Sequence, residues 1–208
     1  MKALVTGGEG GIGRALCARL EREGFEVESL DLTNGFDVTS PEAWERVGAV
    51  DVACLNAGVL TGELTYENYR RAVAVNVDGI VLGVLRLREV MTEGAIVATA
   101  SLAGLTAAPP DPVYTLTKHA VVGFVRAIGA QLAPVRLNAI CPGYVDTSMV
   151  DFERESIAER GIPLLDPADV AEAMWLSVTA GRSGECWFVQ PGRPPEPFHF
   201  PRLPGPRA

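Results

Sequence analysis

Tyr114 and Lys118 stand four residues apart in a stretch with helical apolar periodicity, which sets a phenol and an ammonium on one face. A free phenol ionises at about pH 10 and is a poor base at neutral pH, whereas a neighbouring cation favours the phenolate and makes it usable for proton transfer. The same spacing also arises as a solvated helix pair. Composition favours the chemical reading: among 18 Lys and Arg residues only Lys2 and Lys118 are Lys, so surface charge is carried by Arg. Ser101 follows the apolar run AIVATA (95–100) and precedes Tyr114 by thirteen residues. A hydroxyl at such a strand end can stabilise an oxygen that gains negative charge, or cap a turn.

A second constellation lies near the amino terminus, where residues 6–13 read TGGEGGIG. Gly8, Gly10 and Gly13 fit G-x-G-x-x-G, while Gly7, Gly11 and Gly13 fit G-x-x-x-G-x-G. A tight glycine turn explains either pattern alone. With a strand before and a helix after, however, such glycines bring bare backbone N–H groups to a pyrophosphate. Gly7, Glu9, Gly10, Gly11, Ile12 and Gly13 are therefore candidate cofactor contacts, joined by Asp31 and Leu32 at the end of the next strand. A carboxylate at Asp31 accepts hydrogen bonds from ribose hydroxyls and repels a 2′-phosphate, Glu9 adds negative charge, and no Arg follows. NAD(H) is the expected cofactor.

The elements that must position these groups alternate in type. Strand-like KALVT (2–6) precedes a helix over about 12–23, then FEVESLD (25–31), a short helix near 41–47 and DVACLN (51–56). A long helix over about 66–90, AIVATA, a helix over about 114–132, VRLNAI (135–140), a helix over about 167–179 and ECWFVQ (185–190) complete the order. That rhythm predicts α/β class: one doubly wound domain over 1–190, with a mainly parallel six- to seven-stranded sheet and helices on both faces. Only residues 32–35 separate Asp31 from FDV (36–38). A parallel crossover needs about a dozen residues, so 36–38 should be an extended loop or edge stub beside six regular strands. Residues 191–208 hold seven prolines and should be extended rather than packed, as a solvated tail or a strap over a neighbouring subunit. Asn76 interrupts the long helix at a cost in propensity, which calls for compensation across the fold or by bonding back to its own helix.

The net charge of −8, with no cationic stripe, argues against nucleic acid or an anionic membrane as partner. No apolar run reaches the roughly 18 residues of a membrane span, and the start MKALVTGG reads as a strand rather than a leader, so a cytoplasmic protein is expected. Cys17, Cys54, Cys141 and Cys186 are scattered and should be buried thiols; with only His119 and His199, no metal is expected.

TGGEGGIG (6–13), DVT (37–39), LNAG (55–58), VNVDG (75–79), TASLAG (99–104), YTLTK (114–118) and CPGYVDT (141–147) occur in an order that resembles the short-chain dehydrogenase/reductase family from Lys2 to about Pro191. The resemblance implies a Rossmann fold and a catalytic set of Ser101, Tyr114, Lys118 and Asn76, with Asn76 kinking its helix and holding a proton-relay water. It also implies that Tyr114 and Lys118 touch the cofactor, that Asp37 and Val38 line the adenine pocket and that Asn56, Ala57 and Gly58 wall the cofactor. Pro142, Gly143, Tyr144, Val145 and Thr147 would hold the nicotinamide. Three departures stand out: Leu55 in place of the family's usual Asn, the missing helix after Asp31, and a short substrate lid near 144–166.

The expected reaction is hydride transfer between NAD(H) and a secondary alcohol/ketone pair, with Tyr114 as general acid/base. Leu102, Leu105, Tyr144, Met149 and Phe152 would suit a hydrophobic substrate. The alternatives are an NADPH-dependent 3-oxoacyl-thioester-type reductase and a non-catalytic dinucleotide-binding regulatory or scaffold protein. Family resemblance further implies a homodimer or homotetramer built on the helices at 66–90 and 114–132.

Overall fold

In the computed structural model, which describes residues 1–201, β1 (Lys2–Thr6) is buried from Ala3 onward and pairs on both sides, with β2 (Glu26–Leu30) and β3 (Val52–Leu55). Beyond β3 the sheet continues through β4 (Ala95–Thr99), β5 (Arg136–Pro142), β6 (Cys186–Gln190) and β7 (Arg193–Pro197), in the order β2-β1-β3-β4-β5-β6-β7. The first six strands are parallel and only β7 runs antiparallel. Because chain order reverses on either side of β1, a crevice opens at the carboxyl ends of β1 and β3, where ligands bind in such sheets.

Alternation along the strands sends successive side chains into two apolar layers. Leu4, Leu55 and Ile96 join the layer formed with α2 (Pro41–Glu45), α4 (Gly79–Val90) and α5 (Pro112–Ile128). Val5, Cys54 and Val97 join the layer formed with α1 (Gly11–Arg22) and α7 (Pro167–Ala180). The doubly wound expectation is met.

Several boundaries differ from the sequence expectations. The long helix is α3 (Tyr66–Val73), a π-helical turn over Ala74–Asp78, and then α4. The expected 114–132 helix starts earlier, at Pro112, because Asp111 caps it, and ends at Ile128 before a 3-10 turn over Gly129–Gln131. Phe36–Val38 forms no strand: Phe36 and Val38 are buried, the Phe36 ring meets Trp44 edge-on at 5.1 Å, and Trp44 Nε1 donates to the Val38 carbonyl at 2.9 Å. β2 is thus left as the sheet edge.

The expectation that 191–208 lacks a packed element is corrected by β7. Its three prolines are tolerated because an edge strand needs only part of its N–H groups for pairing. Register runs Trp187↔Pro197, Phe188↔Glu196 and Gln190↔Arg193 across an irregularity, and Phe198 N–H donates to the Cys186 carbonyl at 2.7 Å. The remainder of that expectation, residues 202–208, lies outside the described residues.

Candidate active site

The crevice begins with a backbone cradle between β1 and α1. Gly7 takes a positive φ of 63°, and a Cβ at Gly13 would lie 2.0 Å from the Gly7 carbonyl oxygen, so this turn excludes any side chain there. A Cβ at Gly11 would come within 2.4 Å of Thr147 Cγ2, and one at Gly8 within 2.3 Å of Ser29 Oγ. Helix α1 starts from Gly10 with no side-chain cap and no acidic residue in its first turn, leaving its N–H groups free for an anion. Ile12 is half-buried against the α1–α7 layer and offers its backbone to the crevice.

Just past the carboxyl end of β2, Asp31 is fixed by hydrogen bonds. Its Oδ1 accepts from Thr33 N–H at 3.0 Å and Thr33 Oγ1 at 2.9 Å, and its Oδ2 accepts from Glu9 N–H at 3.2 Å. Partial burial works to raise its pKa, but the Thr33 and Glu9 bonds overcome this and lower it. Ser29 Oγ donates to Glu9 Oε1 at 2.7 Å, so both carboxylates face one edge. Leu32 is exposed beside them. Asp37 is exposed, with Oδ1 accepting from Thr39 N–H and Oγ1 at 2.8 Å, while Val38 is buried against Gly79.

Thr6, a residue of the glycine motif with no expected role, stitches β1 to the turn after β3: its Oγ1 accepts from Asn56 N–H at 2.9 Å and Ala57 N–H at 3.1 Å. Asn56 Nδ2 donates to the Gly7 carbonyl at 3.3 Å and its Oδ1 accepts from Thr99 Oγ1 at 3.1 Å. Leu55, the departure from the family's usual Asn, is buried in the core, so packing absorbs the change.

Ser101, Tyr114 and Lys118 come together at the carboxyl edge of β4. Ser101 Oγ accepts from Ala103 N–H at 3.1 Å, capping the 3-10 turn Leu102–Gly104, donates to the Pro142 carbonyl at 3.5 Å, and lies near enough to the Tyr114 hydroxyl to favour its ionised form. The turn-cap reading of Ser101 is thus observed. Lys118 is 2% exposed; its Nζ donates to the Thr99 carbonyl at 2.8 Å and lies 5.4 Å from the centre of the Tyr114 ring. A Cβ at Gly58 would sit 3.3 Å from Asn76 Oδ1 and 3.4 Å from Lys118 Nζ, so the bare glycine lets both approach.

Asn76 does not bond back to its own helix. Its Oδ1 accepts from Val59 N–H at 2.8 Å, and its Nδ2 donates to the Val59 carbonyl at 2.8 Å and to Thr117 Oγ1 at 3.1 Å. The π turn that carries it is the compensation its helix position demanded.

The protein's own groups do not by themselves produce the phenolate expected from the Tyr-Lys spacing. Burial pushes the Tyr114 phenol up to about 12 against the opposing pull of the Ser101 hydroxyl. Burial likewise pulls Lys118 down, from its ordinary 10.5 to about 8. Below about pH 8 both folded and unfolded chains are protonated at Lys118, so folding bears the full cost of a buried ammonium, on the order of 3 kcal/mol. Between 8 and 10.5 the folded side chain loses its proton first and that cost fades. The thermal midpoint of the wild type should therefore gain on that of Lys118→Met as pH rises from 7 to 10; a constant difference across the scan would contradict this.

At the carboxyl end of β5, which Pro142 closes, Gly143 N–H donates to the Val189 carbonyl at 3.0 Å. The Tyr144 carbonyl accepts from Leu165 N–H at 2.8 Å, Val145 is buried, and Thr147 lies over Gly11. Met149 and Phe152 are exposed on the following 3-10 turn, whereas Leu105 packs against the core. A hollow of about 160 Å³ at the opposite end of the sheet, lined by Lys2, Asp51, Met91 and Glu93 among others, contains none of these groups. Among the described residues no group of three His, Cys, Asp or Glu side chains could hold a metal, and no helix is long and apolar enough to cross a membrane.

A family model for the short chain dehydrogenases matches residues 33–158. The L-2,3-butanediol dehydrogenase of Corynebacterium glutamicum is 31% identical over 203 positions, covering 77% of this chain and 79% of that protein. The 1-deoxy-11-beta-hydroxypentalenate dehydrogenase of Streptomyces arenae is 30% identical over 224 positions, covering 86% of this chain and 79% of that one. The solved 3-ketoacyl-(acyl-carrier-protein) reductase of Brucella melitensis, complexed with NADH, superposes with a TM-score of 0.76 at 26% identity over 92% of this chain and 97% of that one. Glycine cradle, fold and relatives agree: the chain is an oxidoreductase of the short-chain dehydrogenase/reductase family.

Proposed function

We propose that the chain transfers hydride between NAD(H) and a secondary alcohol/ketone pair, with Tyr114 as the proton donor and acceptor. The observation that carries the reading is the meeting of Ser101, Tyr114 and Lys118 beside a side-chain-free glycine cradle. NAD, when bound, supplies the hydride acceptor and a positive ring beside the phenol. Ser101 donates to the substrate oxygen and holds the Tyr114 hydroxyl in line with it. Tyr114 takes the alcohol proton during oxidation and returns it during reduction. Lys118, held by Thr99, binds the nicotinamide ribose and offsets charge on Tyr114; Asn76 fixes the loop beneath them and holds the relay water. Gly7, Gly10, Gly11 and Gly13 hold the pyrophosphate, Asn56, Ala57 and Gly58 wall the cofactor, and Pro142 to Thr147 enclose the nicotinamide.

The choice of NAD over NADP rests on Asp31 and Glu9, two carboxylates on one edge that disfavour a 2′-phosphate. Similar solved structures carry NADH or NADPH, so family membership alone does not choose. We read 144–166 as the substrate lid, its exposed Met149 and Phe152 favouring an apolar alcohol. Leu85 and Leu116, exposed on α4 and α5, suit a two-fold contact between subunits, and four free cysteines fit a cytoplasmic setting.

The test is nicotinamide fluorescence with NADH and NADPH, followed by turnover of secondary alcohols including butane-2,3-diol. Wild type should bind NADH at least tenfold more tightly, and Asp31→Ala should narrow that preference to within about threefold. A wild type that prefers NADPH would promote the oxoacyl reductase alternative. Binding without turnover of any alcohol or ketone would promote the non-catalytic one.

A further inference from the structure

Asp111 lies three residues before Tyr114, outside every motif that marks the site. Its Oδ1 accepts from the Tyr114 N–H at 2.8 Å, capping α5, and its Oδ2 accepts from the Thr61 N–H at 2.8 Å, fifty residues away in sequence. Thr61 belongs to the 59–61 loop that follows the cofactor wall. Asn76 holds that loop at Val59 through both backbone groups, and Arg71 Nη2 donates to the Leu60 and Thr61 carbonyls at 3.2 Å. Thr61 is 1% exposed, so its N–H has no water to turn to if Asp111 is lost.

A Ser or Thr cap has one oxygen and serves one N–H well, whereas a carboxylate has two and serves both at once. We propose that Asp111 is a positioning residue for the reaction, its forked carboxylate setting the register between the 59–61 loop and the helix turn that carries Tyr114. The inference rests on the reading of Tyr114 as acid/base. The same carboxylate disfavours ionisation of the phenol, which also faces Lys118 from α5, Ser101 from the turn after β4 and the Cys141 thiol from β5. Removing the negative charge therefore eases loss of the Tyr114 proton, and the rising limb of the oxidation rate moves to lower pH.

Full-length Asp111→Asn and Asp111→Ser keep one acceptor for the helix cap. Amide hydrogen exchange should show Thr61 released while Tyr114 stays protected; Asp111→Ala should release both. With the fastest alcohol of the panel, kcat should fall about tenfold in Asn and Ser and further in Ala, with NADH affinity held within about twofold. The rising pH limb should shift downward in all three. Unchanged Thr61 exchange, an unmoved pH limb, or losses that track NADH affinity would overturn the proposal. Should no alcohol turn over even with wild type, the acid/base reading fails separately, and Thr61 exchange alone decides whether Asp111 sets the register.

Discussion

Tyr114→Phe should lose roughly 10²- to 10⁴-fold in kcat for both alcohol oxidation and ketone reduction, while NADH binds within about twofold of wild type. The substitution removes one oxygen and leaves the ring that lies under Lys118 Nζ, so the cation keeps its place on the Thr99 carbonyl. What disappears is the one titrating group that Ser101 can align with a substrate oxygen. The phenol is held near 12 by burial, so the protein alone keeps it protonated, and its use as a base depends on cations brought close to it. Steady-state kinetics and fluorescence titration on the same preparation separate chemistry from binding. Retention of more than about a tenth of wild-type kcat would remove Tyr114 from the proton path.

Gly13→Ala should cost more than activity. Its Cβ would lie 2.0 Å from the Gly7 carbonyl oxygen and 2.7 Å from Gly8 Cα, both backbone atoms that no rotamer change can move. Gly7 is itself pinned, donating its N–H to the Leu30 carbonyl at 2.8 Å and accepting from Gly10 N–H at 3.1 Å. Relief must come from displacing the cradle, and overpacking of this kind costs about 1–3 kcal/mol or more. NADH affinity should drop by roughly 100-fold, with a lower thermal midpoint as well. Gly24→Ala is the control: no atom lies within 4 Å of a Cβ there, yet φ is +83°, so it should lose stability modestly and leave NADH affinity intact. Equal losses of affinity in the two variants would show that general destabilisation, not the cradle, is being measured.

The parallel core was legible because each buried strand is a short β-branched run between helical periods, and the spacing of Tyr114 from Lys118 survives any choice of helix ends. Less legible was the π turn at Asn76, since the apolar pattern of 66–90 runs on through it and only a propensity defect at one residue marks the spot. β7 escapes the sequence reading because a high proline count argues against pairing, a bar that an edge strand evades. Asp111 and Thr6 lacked any periodic signature. Their roles depend on partners about fifty residues away, and an Asp-Pro before a helix announces a cap but not the second N–H that its other oxygen reaches. Lys118 was recognised by type and position, yet the strength of its burial, and hence its lowered pKa, came only with the packing of Thr99 and Gly58 around it.

The short link from Asp31 to Phe36 leaves β2 as an outer strand, and an outer strand invites pairing with other chains. Along it Glu26 and Glu28 are exposed, so a second copy approaching edge to edge would set like charges against each other. At the far side, Pro194, Pro195 and Pro197 withhold the N–H groups that an incoming strand would need. The two edges of the sheet thus oppose templating by different means, one by like charge and one by missing donors.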